Sequence, residues 1–122
     1  MKKRILIVDD SLAILHLLTS FLQKQDYEVT TAEDGLMALD VMERFKPDIM
    51  FIDLIMPIIK GDKLCRIIRK MPEFNNTSLV IISATAAEEE IDFLSLGADA
   101  CIAKGPIKSM LANFSEVLGH LE

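Results

Sequence analysis

Four unbroken apolar runs of four residues, Ile5-Leu6-Ile7-Val8, Ile49-Met50-Phe51-Ile52, Leu79-Val80-Ile81-Ile82 and the smaller-sided Ala100-Cys101-Ile102-Ala103, recur along the chain. Short runs without alternation predict strands buried on both faces, as in a parallel sheet covered by helices. Tyr27, Val29 and Thr31 alternate with Glu28 and Thr30, the pattern of a half-exposed edge strand. Between these segments the spacing changes to three and four. Ile14, Leu15, Leu18, Phe21 and Leu22 predict a helix over residues 11–24 with Ser11 at its N-cap. Asp34-Gly35 opens a second helix that carries Leu39, Met42 and Phe45 and stops before Pro47. A third starts near Asp62 and turns Leu64, Ile67, Ile68 and Met71 inward, with a polar loop over Pro72 to Ser78. Thr85-Ala86-Ala87-Glu88 reads as a capping box. The helix it opens carries Ile91 and Leu94 as an apolar stripe and ends at Gly97 in the left-handed conformation. Ile107, Met110, Leu111, Phe114, Val117, Leu118 and Leu121 stripe the last helix, with Pro106 in its first turn.

Five strand–helix units result. Their expected architecture is α/β and flavodoxin-like, a five-stranded parallel sheet of order 2-1-3-4-5 with helices on both faces, forming one domain over residues 1–122. Ligands of such sheets bind in the crevice beyond the carboxyl ends of the strands. Asp9-Asp10, Asp53, Ser83 and Lys104 stand at those ends, and the strand order makes the three acids neighbours with Ser83 and Lys104 reaching over Asp53.

The net charge of −6 argues against sequence-independent nucleic-acid binding, which needs clustered Lys and Arg, and tolerates a cationic ligand. No apolar stretch approaches the roughly 20 residues of a membrane span. Met1-Lys2-Lys3-Arg4 leads straight into a strand, so a cytoplasmic location is expected. Cys65 and Cys101 lack metal-ligand spacing and read as small hydrophobes, His16 and His120 as surface residues, and Glu88-Glu89-Glu90 as a solvated first turn.

Three clustered carboxylates repel one another and raise a pKa unless a cation compensates. Mg²⁺ suits them, because it takes oxygen ligands at about 2.0–2.1 Å and is held by one or two carboxylates plus phosphate oxygens. Asp10 and Asp53 are the direct candidates, with Asp9 acting through water. A carboxylate beside a divalent ion can attack a phosphoryl group, since that reaction asks mainly for in-line positioning and charge neutralisation. Mg²⁺ and Lys104 supply the charge, and Ser83 and Lys104 are drawn to the new oxygens on Asp53.

Asp9-Asp10, Asp53 followed by Met56-Pro57 and Gly61, Ser83-Ala84, and Lys104 after Gly97-Ala98-Asp99 closely resemble the receiver domain of bacterial two-component response regulators, over essentially the whole chain. Each motif is common alone; their conjunction at the correct strand ends is specific. The resemblance implies that Asp9 and Asp10 bind Mg²⁺, that the backbone carbonyl of Ile55 completes the metal site, and that Asp53 is phosphorylated and read by Ser83 and Lys104. It also implies a sensor histidine kinase or histidine phosphotransfer protein as donor. An output domain or effector would read the face formed by the helix after Thr85, the fifth strand and the last helix, which supports homodimers in many members.

Two positions depart from the family. Cys101 stands three residues before Lys104 where a Tyr or Phe is usual, and Gly105 separates Lys104 from Pro106 where Pro usually follows directly. A receiver-like docking module that works without phosphorylation is therefore an alternative. A Mg²⁺ phosphatase of the haloacid-dehalogenase type is another, although its Asp-x-Asp motif after the first strand is absent. The chain reads equally as a stand-alone receiver or as the first domain of a longer protein. With no ring at Cys101, a phosphoryl signal is expected to travel through the loop after Ser83 and the fourth helix, the one that Thr85 opens. Amide shifts measured with and without a phosphoryl mimic should change over residues 84–90, and unchanged shifts there would contradict that route.

Overall fold

A computed structural model describes residues 2–84 and 92–121. In chain order these form β1 (Arg4–Val8), α1 (Leu12–Gln23), β2 (Glu28–Ala32), α2 (Gly35–Phe45), β3 (Ile49–Asp53), α3 (Gly61–Arg69), a 3₁₀ turn (Pro72–Phe74), β4 (Ser78–Ser83), β5 (Ala100–Ala103) and α4 (Ile107–Leu121). All four strand pairings are parallel, in the predicted order β2-β1-β3-β4-β5.

Alternate side chains of the buried strands feed two separate cores. Leu6, Val8, Met50, Ile52, Leu79 and Ile81 pack with Ala38 and Met42 of α2 and with Leu64, Cys65 and Ile68 of α3. Ile5, Ile7, Ile49, Phe51, Val80 and Ile82 pack with Leu15, Leu18 and Leu22 of α1 and with Met110, Phe114 and Leu118 of α4. A helix layer on each face explains why these strands carry no polar alternation. Phe51 and Phe114 meet with ring centroids 4.5 Å apart, locking α4 onto the middle strand.

Local signals act as expected at several helix ends. The Ser11 hydroxyl accepts the Ile14 N–H at 3.3 Å, and the Asp34 carboxylate accepts the Met37 N–H at 2.8 Å. Gly97 has φ of +90°, and its ideal Cβ would lie 2.5 Å from Cγ of Arg69, so the left-handed turn and the close approach both require glycine.

Three details differ from the sequence pattern. Ile67 is only half-buried and faces outward, its core place taken by Cys65, because Leu64, Cys65 and Ile68 already fill the inward side of a short helix. The segment after Met71 is no plain polar loop, since its 3₁₀ turn buries Phe74 in the core shared with α2 and α3. The capping box and Ile91 lie outside the described residues. Of the helix predicted there, Phe93 to Gly97 form turns closed by Leu96 N–H to Phe93 O and Gly97 N–H to Leu94 O bonds. Phe93 and Leu96 pack inward, and Leu94 is exposed.

Gly61 starts α3 directly beneath the loop that leaves β3. Its N–H donates to Leu54 O at 2.9 Å, and a Cβ there would run into the Asp53 carbonyl and Leu54 Cα, which are backbone atoms that cannot rotate away. Gly61→Ala should therefore lower stability by about 1–3 kcal/mol or more, read as a falling urea midpoint, and a midpoint equal to wild type would contradict this close approach.

Candidate functional site

The parallel register brings the strand ends level. Val8 pairs with Ile52, Asp53 with Ile82 and Ser83 with Ala103, so the residues at or just past these positions share one rim of the sheet. Asp9 follows β1, Asp53 ends β3, Ser83 ends β4 and Lys104 follows β5. Asp9, Asp53 and Ser83 are buried, Asp10 is exposed, and Ile55 stands 63% exposed on the open loop beyond Asp53.

Backbone bonds hold this rim. Asp9 N–H donates to Ala32 O at 3.1 Å, Leu54 N–H to Ile82 O at 2.9 Å and Lys104 N–H to Ser83 O at 2.9 Å. Asp9 Oδ1 accepts the Ser11 N–H at 2.9 Å, which fixes its carboxylate at the mouth of α1. Its other oxygen, Oδ2, lies 2.8 Å from Lys104 Nζ, and the same ammonium lies 3.3 Å from Asp53 Oδ2. One ammonium thus serves both buried carboxylates, and neither has a cation of its own.

The charges do not balance: three carboxylates face one ammonium. Burial and the neighbouring Asp9 carboxylate push the Asp53 pKa up to about 6 against the relief that Lys104 provides, and Asp10 adds to the rise. Burial opposes charge on Lys104, but its contacts with Asp9 and Asp53 outweigh that and raise its pKa. Asp53 is thus an under-neutralised acid at the tip of the central strand.

Asp9, Asp10 and Asp53 each offer an oxygen within 4.8 Å of the others. Opposite ligands of an octahedral Mg²⁺ lie about 4.2 Å apart, so a small side-chain rotation or one intervening water accommodates the ion. The surplus of two negative charges, with Asp9 and Asp53 sharing a single ammonium, suits a divalent cation. These residues fit Mg²⁺.

The structure brings Asp9, Asp10, Asp53 and Lys104 together and places Ser83 and Ile55 on the same rim. Sequence reasoning directed Lys104 toward Asp53 and gave Asp9 a secondary place. The shorter contact runs from Lys104 to Asp9, and no periodic signal reports such a loop-to-loop pairing. Cys65 is buried, with burial pushing its thiol up to about 12, and Cys101 is half-buried with its thiol also raised by burial, so both behave as apolar fillers.

Comparison with known proteins agrees with this geometry. Residues 5–113 match the response regulator receiver domain family. The alkaline phosphatase synthesis transcriptional regulatory protein PhoP of Bacillus subtilis (strain 168) is 37% identical over 107 residues, which cover 85% of this chain and 43% of that protein. The chain therefore spans less than half the length of this relative. Response regulator TrrA of Thermotoga maritima, solved in complex with Mg²⁺ and BeF, superposes with a TM-score of 0.83 at 31% identity, covering 98% of this chain and 99% of that one. The response regulator domain of Thermotoga maritima CheB gives a TM-score of 0.86 at 26% identity, covering 99% and 96%. The phosphatase alternative gives way to these matches. With its doubly covered sheet of order 2-1-3-4-5 and an acidic rim around Asp53, the chain belongs to the receiver domain family of two-component response regulators, whose members act as signal-transduction switches.

Proposed function

We propose that this chain accepts a phosphoryl group on Asp53 from a phosphohistidine of a sensor kinase or histidine phosphotransfer protein, in a Mg²⁺-dependent step that switches its binding to an output domain or effector. The observation that carries this reading is the position of Asp53 at the tip of β3, beside Asp9 and Asp10 and within 3.3 Å of Lys104 Nζ.

Asp9, Asp10 and Asp53, with the Ile55 carbonyl, would hold Mg²⁺. When bound, the ion supplies positive charge against the phosphoryl oxygens. An Asp53 carboxylate oxygen attacks phosphorus in line. The new P–O bond forms as the donor's P–N bond breaks, and that bond's electron pair leaves with the imidazole nitrogen. Lys104 stabilises an equatorial oxygen, and because it also touches Asp9, phosphorylation redistributes an existing contact. Ser83, buried at the end of β4, is placed to turn its hydroxyl toward the new oxygens.

Cys101 on β5 cannot swing as an aromatic ring would, so the loop after Ser83 carries the change. The reader is an output domain or effector, or a second copy, on the face that includes β5 and α4. One receiver domain occupying residues 1–122, in the cytoplasm and without direct contact to nucleic acid, completes the reading. Its likeness to PhoP, a transcriptional regulatory protein, supports an output domain in a longer chain as one setting.

Incubated with phosphoramidate or acetyl phosphate and Mg²⁺, the chain should gain one labile phosphoryl mass that Asp53→Asn lacks. Mass unchanged in both proteins would contradict the proposal. Ile55 presents an apolar side chain beside the acyl phosphate, so Ile55→Asn should speed dephosphorylation, measured by decay of that mass; an unchanged decay rate would count against a water-excluding role.

The charge surplus sets a pH dependence. Asp53 is raised from 3.8 to about 6 in the folded chain, so without metal the folded state binds the extra proton between those values. Wild-type stability should fall as pH rises from about 4 to 6. Asp53→Asn escapes that fall and should be more stable than wild type at neutral pH by on the order of 2–3 kcal/mol, with no advantage below about pH 4. Mg²⁺ should shrink the difference in urea denaturation, whereas a variant less stable than wild type at neutral pH would refute the surplus.

A further inference from the structure

A stripe of unneutralised positive charge lies outside the acidic rim, along the exposed side of α3. Lys60, Lys63, Arg66 and Lys70 follow one another at steps of three and four residues, so they share one side of the helix and its flanks. Among the described residues none of the four makes an ion pair, whereas the adjacent Arg69 is bound to Asp99 at 3.0 Å. Asp62 stands on the same rim, where its carboxylate accepts the Lys63 backbone N–H at 2.8 Å. The chain has 13 basic against 19 acidic side chains, so four unpaired cations within about three helical turns reverse the sign of the molecule locally.

Two isoleucines line the same groove, which has a volume of about 490 Å³. Ile67 is the residue whose side chain turns away from the core. Ile58 is 68% exposed and has φ of +72°, a left-handed conformation that a β-branched residue adopts only under strain. Neither burial nor backbone geometry accounts for isoleucine at position 58.

We propose that this groove docks an acidic segment of a partner protein, which lays one apolar side chain against Ile58 and Ile67 and sets its carboxylates along Lys60, Lys63, Arg66 and Lys70. The cations form a line and do not converge, which suits an extended or helical segment better than a single small anion. A nucleic acid is disfavoured by the apolar floor, by the absence of an aromatic stacking platform in the groove and by the chain's overall net charge of −6. Ile58 sits on the loop that leaves Asp53, so the docked segment lies beside the acidic rim without using it.

Fluorescence anisotropy with a labelled helical peptide carrying glutamates at three-four spacing around a central leucine tests this directly. The expected result is saturable binding that weakens with added salt, a loss of about tenfold when Lys63→Glu and Arg66→Glu are combined, and a comparable loss in Ile58→Gly with a urea midpoint no lower than wild type. Unchanged binding in the double charge reversal, or equal binding of a peptide with serine in place of leucine, would overturn the proposal. Tighter binding of a DNA duplex than of the peptide, or self-association that the charge reversal abolishes in sedimentation, would assign the groove to nucleic acid or to a second copy and overturn it equally. Asp53→Asn should bind the peptide like wild type, which separates failure here from failure of phosphoryl transfer.

Discussion

Lys104 lies between two buried carboxylates, 2.8 Å from Asp9 and 3.3 Å from Asp53, and the single ammonium cannot neutralise both. Each buried acid costs free energy unless paired, and the third acid at Asp10 deepens the deficit. The folded chain therefore keeps a pocket that is electrostatically incomplete. Strain of this kind persists only where surrounding structure over-determines it, and here the sheet does so. Asp9 and Asp53 end on adjacent strands, and Lys104 is tied through its own N–H to the carbonyl of Ser83.

The two cores explain how the pocket stays open at its mouth and rigid at its base. Phe51 packs against Phe114 of α4 on one face while Ile52 and Met50 pack under α2 and α3 on the other, so the strand that ends in Asp53 is clamped from both sides. Gly61 lets α3 begin against the Asp53 backbone with no side chain between them. Arg69 then ties the far end of α3 to Gly97 O at 2.6 Å, to Phe74 O at 3.2 Å and to Asp99, whose carboxylate also accepts the Leu79 N–H. This single guanidinium joins α3, the 3₁₀ turn and the approach to β5, and so helps align the strand that delivers Lys104.

Much of this was legible in the chain because strand burial and helix caps leave local marks. The unbroken runs gave strands covered on both faces, Ser11 and Asp34 announced their helices, and Gly97 its left-handed turn. The polar residues at the strand ends then located the rim once the strand order was chosen. The rest depended on partners far apart in sequence. Nothing near Lys104 signals that Asp9 is its closer contact. The spacing of Ile67 satisfies a helical stripe, yet Cys65 fills the core and Ile67 faces the groove, since a short helix offers more apolar positions than one sheet face can cover. Phe74 looked like part of a polar loop because a single 3₁₀ turn is too brief to show periodicity. The cations on α3 went unread, because a charge run on a helix carries no meaning until the structure shows that no acid pairs with them among the described residues.

The central claim is that the metal-free pocket holds more negative charge than it can keep ionised and that a divalent cation completes it. Mg²⁺ binding measured by calorimetry in buffers of different ionisation enthalpy tests this most directly, because a ligand that displaces a proton reports it in the heat. With Asp53 raised to about 6, binding at pH 6 should release about half a proton per ion, falling almost to zero at pH 8 and absent in Asp53→Asn. Binding at pH 6 with no proton release, or no binding at all, would contradict the account.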